Sequence, residues 1–367
     1  MQVGISGTGR IGRLVLRRAF TQCSDLFQIT VVNSTSSPAT LAHLLKYDTV
    51  HGTWDADVQA GEDEIVIDGR RVVVTSERDP SRIPWKRYGI ELAIDATGRY
   101  ADREGLTRHL DAGARRALLT SPGQDMDLTM VIGVNEHRYD PARHRLLSAA
   151  SCTTNCLAPI LGVLDRAFGV RRGWATTVHA FTNDQNHLDN PHKDLRRARA
   201  CTSSIIPTSS GVSRSLADVL PHLAPRVSGR SVRVPVPDVS LLDLLVDLGE
   251  TVRVEEVRRA FLDAAAGEMR GVLDYNELPL VSSDYIGNDK SAVIDGLSLT
   301  KHESLVNIMA WYDNEWAYAC RVIDTVRCIA QAEQRTEEGE DHAASKRDPY
   351  RNGTEERARH GDLQSLQ

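Results

Sequence analysis

Residues 2–12, QVGISGTGRIG, decide the fold. A short apolar run at 2–6 reads as a β-strand. Three glycines in the pattern G-x-G-x-x-G follow it at Gly7, Gly9 and Gly12. Helical spacing then takes over at 11–21, IGRLVLRRAFT. In such a strand–turn–helix the first glycine permits a tight turn. The second lets backbone approach a pyrophosphate, and the third lets helix and strand pack closely. The helix start offers unpaired N–H groups and a positive dipole end to phosphates. The stretch therefore predicts a dinucleotide site at the edge of an α/β sheet.

Working outward, a second strand is predicted at 28–33, and further strands at 65–67, 71–75, 91–95, 116–120 and 129–133. Strand and helix in alternation predict a parallel, doubly wound Rossmann sheet. The texture changes near residue 150. A helix candidate at 156–169 follows SCTTN, and long strands are predicted at 174–181, 230–248 and 306–313. These suit an α+β domain with a mixed sheet. The predicted division is a dinucleotide-binding domain at 1–151, a second domain at 152–315, and a helix at 316–330 that completes the first. Residues 331–367 hold 15 charged side chains, and only Tyr350, Leu363 and Leu366 are large and apolar. That composition predicts a disordered tail. No internal repeat is present.

The second strand ends at Asn33-Ser34. NAD sites of this class usually carry an acid here for the ribose 2′-hydroxyl, and it would repel a 2′-phosphate. Ser34, followed by Thr35, Ser36 and Ser37, should tolerate NADP as well as NAD.

The chain has 367 residues, a net charge of −6 and a pI near 6.1. No basic excess points to nucleic acid as a primary partner, and no basic amphipathic stretch points to a membrane. The longest apolar runs are broken by Asp and too short to span a bilayer. No signal-peptide pattern opens the chain. Six irregularly spaced cysteines form no disulfide framework, and Cys152/Cys156 lack the second pair that a metal site needs. A cytoplasmic setting and no metal are expected.

Ser151-Cys152-Thr153-Thr154-Asn155-Cys156 precedes an apolar helix, and a helix N-terminus stabilises a thiolate. His179 lies late in a strand-like run and is the candidate base. Read alone, the two also fit a buried core cysteine and an ordinary polar histidine. Thr182, Arg197, Arg199, Ser210-Gly211 and Arg233 are types that gather around phosphate, since guanidinium forks match its oxygens. Residues 193–200, KDLRRARA, also read as a solvated basic face.

Taken in order, the motifs resemble the phosphorylating glyceraldehyde-3-phosphate dehydrogenase family from Val3 to about Ala330. They include GTGRIGR at 7–13, HLLKYDTVHG at 43–52, ERDP at 77–80, DATG at 95–98, ASCTTNCLAP at 150–159, TTVHAFTNDQ at 176–185, PHKDLRRARA at 191–200, SIIPTSSG at 204–211, RVPVPDVSL at 233–241 and WYDNEW at 311–316. The resemblance implies that Cys152 is the nucleophile of a thioester mechanism and His179 its base. The Cys152 N–H and the His179 ring would hold the oxyanion. It places Thr182 and Arg233 at the substrate phosphate, and Ser151, Thr153, Arg197, Ser210 and Gly211 at the attacking inorganic phosphate. Asn314 would hold the nicotinamide amide, and Arg10, Ile11, Arg78 and Thr120 would touch the cofactor. Cys156 would be structural. Residues 180–205 would reach a neighbouring subunit's cofactor site, implying a homotetramer.

Several positions depart from the family pattern. Ser34 replaces the usual Asp, and Asn190 a common Leu; both resemble the NADP-using branch, with Arg78 placed to meet a 2′-phosphate. Ser6-Gly7-Thr8-Gly9 replaces Asn-Gly-Phe-Gly, Ser210 a Thr, Asp238 a common Asn, and Ala317 a Gly. Erythrose-4-phosphate dehydrogenase shares the Cys/His chemistry, but Thr182, Ser210 and Gly211 argue against it. An inhibitor-tolerant isozyme is compatible with the substitutions at Thr8, Ser210 and Asp238. A regulatory or RNA-binding role through the cofactor groove is disfavoured by the acidic pI and the intact Cys152/His179 pair.

Overall fold

The computed structural model describes residues 1–22, 24–209, 211–249 and 252–345. The first sheet comprises β1 (Gln2–Ser6), β2 (Gln28–Asn33), β3 (Val58–Ala60), β4 (Glu64–Ile67), β5 (Arg70–Thr75), β6 (Leu92–Asp95), β7 (Arg116–Leu119), β8 (Leu128–Thr129) and β9 (Leu146–Ser148). Their order is β3-β4-β5-β2-β1-β6-β7-β9-β8. β1 pairs in parallel with β2 on one side and β6 on the other. The chain thus turns both ways at β1, and the crevice beyond its carboxyl end is the expected ligand position. Helices α1 (Arg10–Thr21), α2 (Pro38–Lys46) and α3 (Arg103–Asp111) belong to this half.

The second half begins with α4 (Cys152–Phe168) and builds a mixed sheet from β10 (Val170–Ala180), β11 (Ile206–Thr208), β12 (Val227–Val234), β13 (Ser240–Leu248), β14 (Leu273–Asn276), β15 (Ala292–Asp295), β16 (Thr300–His302) and β17 (Leu305–Tyr312). α5 (Val212–Val219) and α6 (Val254–Ala266) flank it, and α7 (Trp316–Ser345) closes the chain. α7 packs back on the first half. Its Tyr318, Val322, Ile323, Val326 and Ile329 share one core with Val3, Leu14 and Ile94. A second core joins α4 and α6 to β13 and β17. Cys152 packs against both cores.

Three expectations change. Residues 230–248 are not one strand. Pro235 and Pro237 withhold the N–H groups a ladder needs, and Val239 turns at φ 64°, so the run splits into β12 and β13. The strand predicted at 129–133 shrinks to Leu128–Thr129. The Asn135 side chain takes the Val131 N–H at 2.8 Å and donates to the Thr129 carbonyl at 2.9 Å, ending the ladder. The helix predicted to end at 330 continues to Ser345, so the first part of the predicted tail is helical. Residues 331–345 are rich in Ala, Gln, Glu and Arg, and a helix already nucleated by burial propagates through such residues without a core of its own. Glu333 anchors this extension to Arg116 at 2.6 Å. The rest of the predicted tail, 346–367, lies outside the described residues. α2 and α3 were not foreseen, although Ser37-Pro38 carries a helix-start signal: Ser37 caps the helix from N-cap and proline stands at N1. Among the described residues no helix is long and apolar enough to cross a membrane.

Tyr312, at the end of β17, ties the halves of the catalytic region together. Its buried hydroxyl lies 3.0 Å from Thr153 Oγ1 on α4 and 2.8 Å from Thr177 Oγ1 on β10. Tyr312→Phe leaves both threonines short of a partner. It should lower stability by about 1–3 kcal/mol, read as a fall in the denaturation midpoint with an unchanged denaturant slope.

Candidate active site

The dinucleotide cleft forms where β1 ends. Gly7 turns at φ 97°, and a Cβ there would sit 2.6 Å from the Ala96 and Thr97 backbone. A Cβ on Gly12 would lie 2.0 Å from the Gly7 carbonyl oxygen, so helix and strand approach only because both are glycine. Gly9 is different: nothing lies within 4 Å of where its Cβ would be. It caps α1 without any side-chain hydrogen bond, so the first N–H groups of α1 face open space. Chain backbone, space and dipole thus fit a pyrophosphate.

A cavity of about 340 Å³ continues from Gly7 and Gly9 past Thr35 and Ser36 to Arg78 and Arg99. Ser34 is buried behind it. Its hydroxyl lies 2.7 Å from Thr8 Oγ1 and accepts the Ser36 N–H at 3.1 Å. The strand end therefore presents hydroxyls and no carboxylate. Glu77 does line the cavity, and Arg82 stands 3.7 Å from it. Sequence reasoning missed Arg99 and Glu77, which lie beside the quoted DATG and within ERDP.

The other predicted cofactor residues are spread around this cleft. The Arg10 side chain is claimed by Asp48 and Glu315, which leaves only its backbone N–H at the start of α1 free for a ligand. Ile11 follows it, half-buried. Thr120 caps the sheet, donating through N–H and Oγ1 to the Asp95 carbonyl. Asn190 is exposed on a loop and is not among the residues that line the cavity; its N–H donates to the Ala198 carbonyl. Asn314 is buried at the base of α7, and Ser240 Oγ donates to its Oδ1 at 2.6 Å. Its amide N–H groups remain for a ligand.

The structure brings Cys152 and His179 together, with Sγ 3.4 Å from Nε2. Two local features aim the thiol. Ser151 caps α4 by accepting the Thr154 N–H at 3.0 Å, which fixes Cys152 as the first helical residue. Ala150 before it turns at φ 57°, a conformation disfavoured for a residue with a Cβ, and its carbonyl is held by the Tyr318 hydroxyl at 2.9 Å. His179 arrives on β10 and is 3% exposed. Its Nδ1 lies 2.7 Å from the Ala180 carbonyl, so the proton sits there and the Nε2 lone pair faces sulfur. Arg233 Nη1 donates to the same carbonyl at 2.9 Å and lies 2.9 Å from Nδ1.

Burial, with the Arg233 charge added, pushes His179 down to about 3. Burial pushes the Cys152 thiol up, while Arg233 and the Thr153 N–H pull it back. Burial disfavours charge on both members of the pair, and proton transfer to Nε2 accompanies attack by sulfur.

Around this pair stand the phosphate-type residues. The Arg233 Nε–H is buried without a partner among the described residues. Arg197 pairs with Asp184 and donates to Thr208 Oγ1 at 3.0 Å. Its charge also reaches His179. Thr182 sits one residue beyond Phe181, its N–H 3.4 Å from Gln185 Oε1. Gly211 opens α5 with no side-chain cap. Arg199 instead pairs with Asp189 on the surface. Ser210 lies outside the described residues. Cys156 is fully buried and plays no part in the pair.

Residues 1–103 match the family model described as glyceraldehyde 3-phosphate dehydrogenase, NAD binding domain, and residues 151–314 match the C-terminal domain of the same family. The chain is 51% identical over 331 residues to glyceraldehyde-3-phosphate dehydrogenase 2 of Bacillus subtilis, covering 90% of this chain and 97% of that one. It is 47% identical over 331 residues to the Geobacillus stearothermophilus enzyme, covering 90% and 98%. With glyceraldehyde-3-phosphate dehydrogenase 2 of Streptomyces avermitilis the identity is 46% over 325 residues, 88% and 97% of the two chains. The chain belongs to the glyceraldehyde-3-phosphate dehydrogenase family. Like that family, it is a nicotinamide-dependent oxidoreductase with a Rossmann domain and a catalytic domain.

Within this glyceraldehyde-3-phosphate dehydrogenase fold, Tyr312, Tyr318 and Ser240 complete the frame of the site. Tyr312 and Ser240 lay in quoted motifs but drew no role there, since buried hydroxyls joining distant segments leave no local pattern. Cys152→Ser should abolish turnover while leaving dinucleotide binding intact. His179→Asn should lower kcat by roughly 10²–10⁴-fold and slow alkylation of Cys152. Alkylation at the wild-type rate in His179→Asn would show that the histidine does not act on sulfur.

Proposed function

We propose that this chain oxidises D-glyceraldehyde 3-phosphate to 1,3-bisphosphoglycerate with inorganic phosphate, and accepts NADP at least as readily as NAD. The observation that carries the reaction is the Cys152–His179–Arg233 cluster, in which a thiol meets a neutral base beside a buried guanidinium with an unused N–H.

The steps follow from these groups. Cys152 attacks the aldehyde carbon and its proton passes to His179 Nε2. The carbonyl oxygen gains negative charge beside the Cys152 N–H and the His179 ring and takes the proton back from Nε2, giving a hemithioacetal and leaving His179 neutral. Arg233 and Thr182 hold the substrate phosphate through charge-assisted hydrogen bonds. The dinucleotide, when bound, supplies the acceptor for the hydride that leaves the hemithioacetal carbon. His179 takes the hydroxyl proton at that step, and a thioester on Cys152 remains. Ser151, Thr153, Arg197, Ser210 and Gly211 gather inorganic phosphate for attack on the thioester carbon. The Cys152–carbon bond breaks, the acyl phosphate departs, and sulfur regains its proton. Asn314, fixed by Ser240, offers its amide to the nicotinamide carboxamide.

Dual cofactor use is supported by the hydroxyl-lined strand end at Ser34, Thr35 and Ser36, with Arg78 and Arg99 across the cavity. A 2′-phosphate there meets cations and no carboxylate at the strand end. A homotetramer is supported by the loop at 180–205. It exposes Leu188 at 79%, Leu195 at 81% and Ile205 at 71%, more apolar surface than a solvated loop should show. Cytoplasmic residence suits the free thiols at 152, 156, 201, 320 and 328.

Reduction of the cofactor with glyceraldehyde 3-phosphate should require phosphate and should run with NADP at least as well as with NAD. Ser34→Asp should cut kcat/KM for NADP by at least about tenfold, since a carboxylate beside a phosphate costs more than 1.4 kcal/mol, and should spare NAD. Phosphate-dependent reduction with NAD alone would remove the cofactor reading and keep the reaction. No reduction with either cofactor would remove both.

A further inference from the structure

Asp238 stands where the family commonly has asparagine, and its surroundings are unlike those of an ordinary aspartate. It is 3% exposed, and neither carboxyl oxygen has a hydrogen-bond donor among the described residues. The Asp313 carboxylate acts on it as a neighbouring like charge. Glu315 adds a second negative charge from the same segment. His51 Nε2 lies 3.6 Å from Asp238 Oδ2 and 3.3 Å from Glu315 Oε2. Farther out, Arg10 is taken up by Asp48 and Glu315. His51, Asp238 and Glu315 are donors of the metal-binding kind, but Arg10 already engages both Glu315 oxygens, so the cluster has use for a proton and not an ion.

The two aspartates differ in what they receive. Asp313 accepts the N–H groups of Gly287 at 2.8 Å, Glu315 at 2.9 Å and Trp316 at 2.7 Å. Three donors favour the anion there. Asp238 has only the adjacent Val239 N–H beside it, outside good hydrogen-bond geometry, and a buried carboxyl so poorly supplied and facing other carboxylates favours holding a proton.

We propose that Asp238 carries a proton at neutral pH, donates it to Asp313, and thereby serves as a positioning residue for Asn314. A protonated aspartic acid has the shape of asparagine and, like it, one face that donates. The pair joins the start of β13 to the end of β17. Two residues beyond Asp238 and one beyond Asp313 the same two segments meet again, where Ser240 Oγ donates to Asn314 Oδ1. Between the two links lies Val239, a β-branched residue at φ 64° that must be held from both sides. Losing the shared proton sets like charges against each other at one end of this clamp and loosens Asn314 at the other. The positioning half rests on the proposed role of Asn314 toward the nicotinamide, whereas the proton itself does not.

Burial and the neighbouring carboxylates raise Asp238 far above the ordinary carboxylate range. A carboxyl raised in the folded state contributes stability that is complete below the unfolded value, near pH 4, and is lost as pH climbs toward the folded value. Asparagine has no such slope. The test compares Asp238→Asn with the unaltered protein, free of cofactor, across about pH 5–9.5. The Tm of the variant should gain on that of the parent steadily as pH rises. In the assay, KM for the dinucleotide should climb several-fold toward pH 9.5 in the parent and stay level in the variant. A Tm difference that is constant across pH would overturn the proton. A growing difference with parallel KM profiles would overturn the link to Asn314. If the variant does not fold, the infrared spectrum of the parent decides: a buried protonated-carboxyl band at pH 7 that vanishes on alkalinisation is expected, and its absence sinks the proposal.

Discussion

The site depends on one constraint: a cysteine must sit on the first turn of a helix that belongs to two hydrophobic cores at once. Cys152 packs against the core of the Rossmann half and the core of the catalytic half. Neither core alone fixes its position. α4 supplies the helix start, β10 brings His179 within 3.4 Å, and α7 reaches back to hold Ala150 through Tyr318. The nucleophile is therefore assembled only when residues separated by more than 150 positions have met. Its desolvation follows from the same packing, and with it the penalty on charge at either member of the pair.

α7 carries this dependence across the molecule. Its base holds Asn314 and the Asp313 cap, and its middle fills the core under β1 and α1. Arg10 at the start of α1 is locked to Glu315, directly beside that cap. The glycine turn and the segment that carries Asn314, the two ends of the proposed cofactor site, are thus joined by the Arg10–Glu315 ion pair. Arg10 works here as a strut between the two ends of the cofactor site, more than as a contact.

The sequence made the local chemistry legible and the long-range frame obscure. Glycines at 7, 9 and 12 after a strand point to a tight strand–turn–helix, and Gly12 does pack against the Gly7 carbonyl more closely than any Cβ would allow. Ser151-Cys152 likewise announced a helix start. The splitting of 230–248 was readable in Pro235 and Pro237, had their missing N–H groups outweighed the apolar run. The roles of Tyr312, Tyr318 and Ser240 were not readable. Each acts through a hydroxyl that meets a partner from 74 to 168 positions away, Ser240 to Asn314 being the nearest and Tyr318 to Ala150 the farthest. Helical continuation past residue 330 was masked by the opposite error, since a charged composition argues against a core but not against extending a helix that already exists.

The electrostatics of the cluster carry a further consequence. Arg233 depresses the proton affinity of His179 and also holds the unused N–H that suits a phosphate. Those two facts are one mechanism. With no substrate present, the guanidinium charge acts on the imidazole undiminished and keeps it a weak base. A dianionic phosphate bound at Arg233 cancels that charge within a few ångströms, in a buried region where screening by water is slight. The imidazole then gains affinity for a proton at the moment when the aldehyde is in place to be attacked. A substrate without the phosphate would leave the base weak as well as bind poorly, so its loss falls on the chemical step and not on affinity alone.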